Sequence, residues 1–279
     1  SNVTIRSSYA NARIQNAGSD SFVGGFIGLA GGTGIVTIEN CYAIPDIRTG
    51  EHIGGFAGAG NGTVIRNSYA AGESLPTGIV AGDTSGLAEM GTIQNSVSIF
   101  PEMTSVNRIS KGGTLSGNYG FVGTTASDKS GNILTPKTED VGENRPYGAD
   151  ASEAWLKSEK FYQDTLGWDF GDVWTMPSAE SGYLFPVLKE QKESMIPTLS
   201  LDMDPSVISV SLDQQQATLY PRGSLKLTAR VHSKNGASRD VKWVSSNPAA
   251  VHVTNDGTVA VHKDAAAGTY KVTAVSQFD

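Results

Sequence analysis

The chain has 279 residues, 38% hydrophobic and 18% charged, enough for two or three domains with buried cores under an unusually uncharged surface. Its net charge of −7, with no basic stripe, argues against nucleic-acid binding, and no run approaches the ~20 apolar residues of a membrane span. The single cysteine, Cys41, excludes a disulfide framework and a cysteine-based zinc site.

Glycine and charge are unevenly placed. Of the 33 glycines, 23 lie in residues 1–125, and residues 205–279 carry a net charge of +3 against −10 before them. The glycines belong to a repeat, best seen at 52–70. Its first half is Ile-Gly-Gly-Phe-Ala-Gly (53–58) and its second is Ile-Arg-Asn-Ser-Tyr-Ala (65–70). The first half recurs at 23–28 and, decayed, at 77–82. The second recurs at 5–10, 38–43 and 93–98. A fainter copy lies in 103–120, with Arg108-Ile109 as its first strand and 115–119 as its second. The tyrosine positions (Tyr9, Tyr42, Tyr69, then Val97 and Tyr119) are 33, 27, 28 and 22 residues apart. Such unequal spacing argues against a propeller and for coils with loops of varying length.

Each half is short and patterned as a strand, and glycine at this density opposes helix. One unit cannot bury its apolar side alone, but stacked on a copy of itself it can. Stacking predicts columns of like residues. Asn40, Asn67 and Asn95 are expected to form a ladder of mutually bonded amides, Phe26 and Phe56 an aromatic column, and Tyr42 and Tyr69 another. Cys41 occupies the slot held by Ser8, Ser68 and Ser96, where a small residue is wanted and no base is near.

Gly-Gly-Phe-x-Gly followed by Ile-x-Asn-Ser/Cys-Tyr-Ala resembles the GLUG motif, over roughly residues 1–125. That repeat occurs in large secreted or surface-attached bacterial proteins, among them adhesin-like proteins and non-catalytic regions of some IgA-specific metallopeptidases. The resemblance implies a β-helix or β-solenoid and brings no catalytic residue with it.

Residues 126–195 are expected to cap that solenoid. Here glycine thins out and Trp155, Trp168 and Trp174 appear; residues 150–162 read as a short helix with Ser152 or Asp150 as N-cap. The three indoles with Asp169 and Asp172 are also the candidate glycan contacts, since aromatic faces stack on sugars and carboxylates bind hydroxyls. Asp169-Phe170-Gly171 matches a kinase triplet by chance, with no glycine loop or His-Arg-Asp beside it. Residues 196–206 read as a linker.

Residues 207–279 read as about seven short alternating strands with turn signals between them, a β-sandwich. Leu225-x-Leu227-x-Ala229-x-Val231, Val241-x-Trp243-x-Ser-Ser-Asn-Pro248, Asp256-Gly257-x-Val259 and Gly268-x-Tyr270-x-Val272 resemble the group 2 bacterial immunoglobulin-like domain. Trp243 is the expected inter-sheet core residue. Lys234-Asn235-Gly236 signals a hairpin turn.

The sequence carries no His-Glu-x-x-His among its four histidines, no phosphate loop and no calcium-binding EF-hand loop. The expectation is therefore an all-β, non-catalytic module with no cofactor or metal. The chain opens in mid-repeat and reads as a monomeric piece of a larger extracellular or cell-surface bacterial protein. Its expected partner is an extracellular glycan or a host or cell-wall polymer, with neither nucleic acid nor membrane insertion. One alternative is a carbohydrate-binding accessory region of a glycan-active enzyme; a polysaccharide lyase is the remote one, since such groove enzymes need clustered cations.

Overall fold

A computed structural model describes residues 2–15, 18, 21–30, 33–60, 62–76, 84–105 and 107–278. The chain is all-β and divides into two units, Ser1–Met203 and Asp204–Asp279.

In the first unit successive repeats add strands, in chain order, to several parallel sheets. One sheet runs Val3–Arg6, Val36–Glu39, Thr63–Arg66, Thr92–Gln94, Thr114–Ser116. A second runs Tyr9–Ile14, Tyr42–Ile47, Tyr69–Ala71, Val97–Ile99, Tyr119–Phe121, Ala149–Ala151. A third joins Phe22–Gly24, His52–Gly54 and Thr84–Ser85. The first strands are short β-branched runs, which suit a pleated, half-buried surface. Register is strict: Ile5, Ile38, Ile65, Ile93 and Leu115 are successive partners. These residues pack inward in one core with Ile53, Phe56, Leu87 and Ile109.

The expected columns form. The rings of Phe26 and Phe56 stack 4.9 Å apart at 10°, and those of Tyr42 and Tyr69 5.1 Å apart at 4°. The asparagine column is in register too, but its cause differs from the expected amide ladder. Among the described residues no hydrogen bond joins the amides of Asn40, Asn67 and Asn95, and Asn40 Oδ1 is without a hydrogen-bond partner. Instead all three have left-handed backbone (φ 55, 48 and 47°), as do Ser7 and Gly117 in the same slot. Asparagine tolerates this conformation better than most residues, so the slot selects it as a sharp corner between two sheets. Asn67→Gly is therefore expected to be nearly neutral and Asn67→Val to cost roughly 1–2 kcal/mol, read by denaturant unfolding.

The third glycine half is displaced from its expected place. The residues stacked on Gly54-Gly55-Phe56-Ala57 are Ser85-Gly86-Leu87-Ala88: Phe56 N donates to Leu87 O at 2.9 Å, and Ala57 bridges Ala88. The span read as that copy, 77–82, lies outside the described residues. Backbone crowding explains the glycine: a Cβ on Gly55 would stand 2.2 Å from Gly86 O. In the next layer Arg108-Ile109 takes the same position, with Leu87 N donating to Ile109 O at 3.0 Å.

Of the span read as a cap, 126–195, residues 139–151 do close the end, but the Trp-rich part lies beside the stack. Alternate residues of the tyrosine sheet face away from the inner core, and Tyr42, Tyr69, Val97, Tyr119 and Phe121 share a second core with Leu156, Phe161, Tyr162, Trp168, Trp174 and Phe185. Residues 152–203 thus cover the outer side of this sheet. A strand paired on both edges with apolar residues on both faces needs a second layer beside it, which a lid across the end could not supply. The end itself is closed by residues 139–151. Asn118 N donates to Glu143 O (2.8 Å), Ile109 N to Pro146 O (2.9 Å), and Ala149–Ala151 adds the last strand. The expected helix is shorter than read. Glu153–Leu156 is helical, with Ser152 Oγ accepting from Trp155 N, and a π-helical turn follows at Phe161–Thr165. Leu201 and Met203, within the span read as linker, are buried in this same core.

Among its described residues the second unit has seven antiparallel strands, Ser206–Leu212, Ser224–Lys226, Ala229–Lys234, Val241–Ser245, Val251–Val253, Thr258–Val261 and Val272–Ser276. The run read as one strand at 224–231 breaks at Leu227-Thr228. Its first part pairs with Thr258–Val261 and its second with Ser206–Leu212. Asn235 and Gly236 both have positive φ (55 and 77°) and Ala237 N donates to Lys234 O at 3.1 Å, so the expected tight turn forms. It is not a hairpin: the flanking strands pair elsewhere, Ala229–Lys234 with Ser206–Leu212 and Val241–Ser245 with Val272–Ser276, because the turn carries the chain from one sheet to another. Trp243 is partly buried against a core of Leu227, Ala250, Val251 and Val259.

Candidate functional site

Two places concentrate unusual chemistry: the covered tyrosine face and the layer where the stack closes. On the tyrosine face the phenols reach into the cover and are bonded there. Tyr69 Oη donates to Pro186 O at 2.7 Å and lies 2.8 Å from Tyr183 Oη. Tyr42 Oη donates to Gln191 Oε1 at 2.7 Å. Where the column has Val97 in place of a ring, Trp168 stacks on Tyr69 (6.3 Å, 23°) and its Nε1 donates to Asn95 O at 2.8 Å.

Burial holds the phenols of Tyr42, Tyr69, Tyr162 and Tyr183 well above the usual tyrosine range. The unfolded chain releases those protons near pH ~10 while the folded chain keeps them. Their contribution is thus complete below pH ~10 and is lost as pH rises beyond it. In a phenolate absorbance titration these four are expected to stay silent until the stack unfolds.

The indoles split. Trp168 (3% exposed) and Trp174 (0%) stack on each other 4.7 Å apart inside the core, whereas Trp155 is 49% exposed and lies on Phe161 at 5.5 Å. The expected three-indole sugar platform is therefore not assembled, because two of its members are packing residues. Asp169 is an exposed turn carboxylate whose Oδ1 accepts from Asp172 N at 2.9 Å. Asp172, with Ser7, Ser8, Tyr9, Val173, Leu188, Glu190 and Gln191, lines an open cavity of about 420 Å³ at the first layer.

The hydroxyl column runs between the cores. Ser68 Oγ accepts from Cys41 N (3.1 Å) and donates to Arg66 O (2.8 Å); Ser96 Oγ accepts from Ser68 N (3.3 Å) and donates to Gln94 O (2.8 Å). Asn118 Oδ1 takes the same role for Ser96 N at 3.1 Å. Each side chain thereby satisfies a buried backbone donor one layer away. Cys41 fits this slot as a small hydrogen-bonding residue. Its thiol is buried, and burial pushes its pKa up to about 11, the opposite of what a nucleophile requires.

Arg108, which the sequence marks only as part of the fainter repeat copy, is 1% exposed. Its guanidinium donates to the carbonyls of Tyr147 (2.8 Å), Phe121 (2.7 Å), Gly148 (3.3 Å) and Ala149 (3.1 Å) and to Asp150 Oδ1 (2.8 Å). It also lies 4.0 Å over the Tyr147 ring. The available signal was an arginine where the other copies hold glycine. It faces Gly120, where a Cβ would stand 2.3 Å from Nε.

Among the described residues no group of three His, Cys, Asp or Glu is placed to hold a metal ion, and no helix is long and apolar enough to cross a membrane. Geometry thus defines an all-β chain in which a layered parallel stack precedes a small antiparallel β-domain. Residues 206–278 match the family described as bacterial Ig-like domain (group 2). No curated protein and no solved structure gives a significant match to the chain.

Proposed function

We propose that this chain is a non-catalytic structural or adhesive module of a larger bacterial cell-surface or secreted protein. The layered unit serves as a stiff β-solenoid of GLUG type and the Ig-like unit as a spacer. The observation that carries this reading is the use of the conspicuous side chains. The asparagines form corners, the serines and Cys41 hold backbone amides, and the tyrosines, Trp168 and Trp174 knit the stack to its cover. The Ig-like match supports the setting, since such domains occur in bacterial surface proteins. The test is turnover by the full chain on a panel of polysaccharides and peptides. None is expected; turnover abolished by a single substitution would overturn the reading.

A second reading, carbohydrate binding in service of a glycan-active partner domain, is favoured by the exposed Trp155 indole on Phe161. A glycan array probed with the full chain and with Trp155→Ala tests it: a signal lost in the variant supports it, and no signal in either removes it.

A further inference from the structure

Residues 205–279 carry a net charge of +3 in a chain of −7. Four of their eight Lys and Arg fall at every fourth position of one segment: Arg222, Lys226, Arg230 and Lys234. A step of four is even, so in an extended chain such side chains leave on one face. The spacing also hides them from a search for runs of basic residues. The structure keeps the parity. Leu225 and Leu227 pack inward in the small core, while Ser224, Lys226, Thr228, Arg230 and His232 are exposed. The segment changes neighbour at Leu227-Thr228, from Thr258–Val261 to Ser206–Leu212, without changing the face that looks out.

Arg222 stands at the head of the row, in the turn that leads into it. Gly223 N donates to Tyr220 O at 2.8 Å, with Pro221 and Arg222 (φ 68°) between them, the arrangement of a type II turn. Glycine or asparagine is favoured at that left-handed position, so an arginine there carries backbone strain. The turn is pinned by Arg222 N on Val261 O and Val261 N on Gly223 O, both at 3.0 Å. Strain of this kind collects where a side chain has a task.

Two carboxylates stand beside the middle of the row. Asp256 pairs with Lys226 at 2.6 Å in an exposed ion pair, which is weak and exchangeable. Asp213 spends Oδ1 on Thr228 N at 2.9 Å. Among the described residues Arg222 and Arg230 form no ion pair. The register partners are small: Ser211 beside Arg230, Ser209 beside His232 and Ala260 beside Ser224. The result is a flat strip with about 13 Å between successive cations, at ~3.3 Å per residue.

We propose that this strip is a docking track for an acidic polysaccharide, its carboxylate or sulfate groups on Arg222, Lys226 and Arg230 and its hydroxyls on Ser211, Ser224 and Thr228. A linear polymer with evenly repeated charge matches evenly spaced cations. No Trp, Phe or Tyr stands among the described residues of the strip to stack a nucleic-acid base. The chain as a whole is acidic, so bulk charge does not drive such binding and the attraction is local. The track gives the Ig-like unit a binding role beyond that of a spacer, and it does not depend on Trp155.

The test measures binding of the full chain to polygalacturonate, which carries carboxylates, and to dextran sulfate, which carries sulfates, with neutral dextran as blank. Binding to one or both acidic polymers is expected, weakening steeply with added salt. Arg222→Gln with Arg230→Gln should weaken it about tenfold or more with Tm unchanged. Lys242→Gln with Lys271→Gln makes the same charge change on and beside the other pair of strands, Val241–Ser245 and Val272–Ser276, and should weaken it less than about twofold. No binding to either acidic polymer, equal losses from the two pairs of substitutions, or tighter binding to single-stranded DNA or to phosphatidylserine vesicles overturns the proposal.

Discussion

Replacing Arg108 by methionine is expected to lower the stability of the layered unit by roughly 3–5 kcal/mol, the cost of breaking a buried charged network. Methionine matches the stem but offers no donor, so the carbonyls of Tyr147 and Ala149 lose the guanidinium, while Phe121 O keeps Thr124 N and Oγ1 and Gly148 O keeps Gly142 N. Each buried acceptor left unsatisfied costs about 1–3 kcal/mol before relaxation. Asp150 contributes little to the loss, since its carboxylate is half exposed and hydrates on its own. Arg108→Lys should recover only part, because an ammonium cannot reproduce a planar fork reaching five acceptors. Denaturant unfolding reads both, and exchange at Ile109 and Ala149, which bond across this layer, should rise first.

The second large effect is expected at Trp174. It is fully buried, 4.7 Å from the Trp168 ring and 6.4 and 6.1 Å from those of Tyr42 and Tyr69, so Trp174→Ala should cost about 3–5 kcal/mol. Trp174→Phe should be much milder than a usual indole loss. Among the described residues Trp174 Nε1 has no hydrogen-bond partner, so phenylalanine removes an unsatisfied donor along with the lost volume. A phenylalanine variant as damaged as the alanine one would mean that the cover is not packed as described.

The repeat was legible because stacking imposes identity. Register makes Ile, Asn, Ser and Tyr return in the same order, and the Ig-like pattern survived as alternation and turn residues such as Asn235-Gly236. Three features were less visible. The asparagine column looked like an amide ladder because spacing alone does not reveal that its backbone is left-handed. The third glycine half was misplaced because Gly78 and Gly82 resemble the motif, while the stacked residues, Ser85-Gly86-Leu87-Ala88, keep only one of its glycines. The aromatic segment looked like an end cap because period-two alternation does not say which face is inner. A tyrosine on the outer face needs a cover as surely as a phenylalanine on the inner face needs a core. The role of Arg108 was silent because a buried arginine is defined by carbonyls from four other residues, none adjacent to it in sequence.

Strict in-register stacking of the repeats is tested most directly by disulfide formation between layers. Thr37 and Val64 are parallel register partners on half-exposed faces, whereas Ile65, one residue on, faces the core. With Cys41 buried and protonated, oxidation of the pair Thr37→Cys with Val64→Cys should give a rapid intramolecular bridge, and Thr37→Cys with Ile65→Cys should give none. Equal bridging in both pairs, or bridging only in the second, would contradict the stacked arrangement.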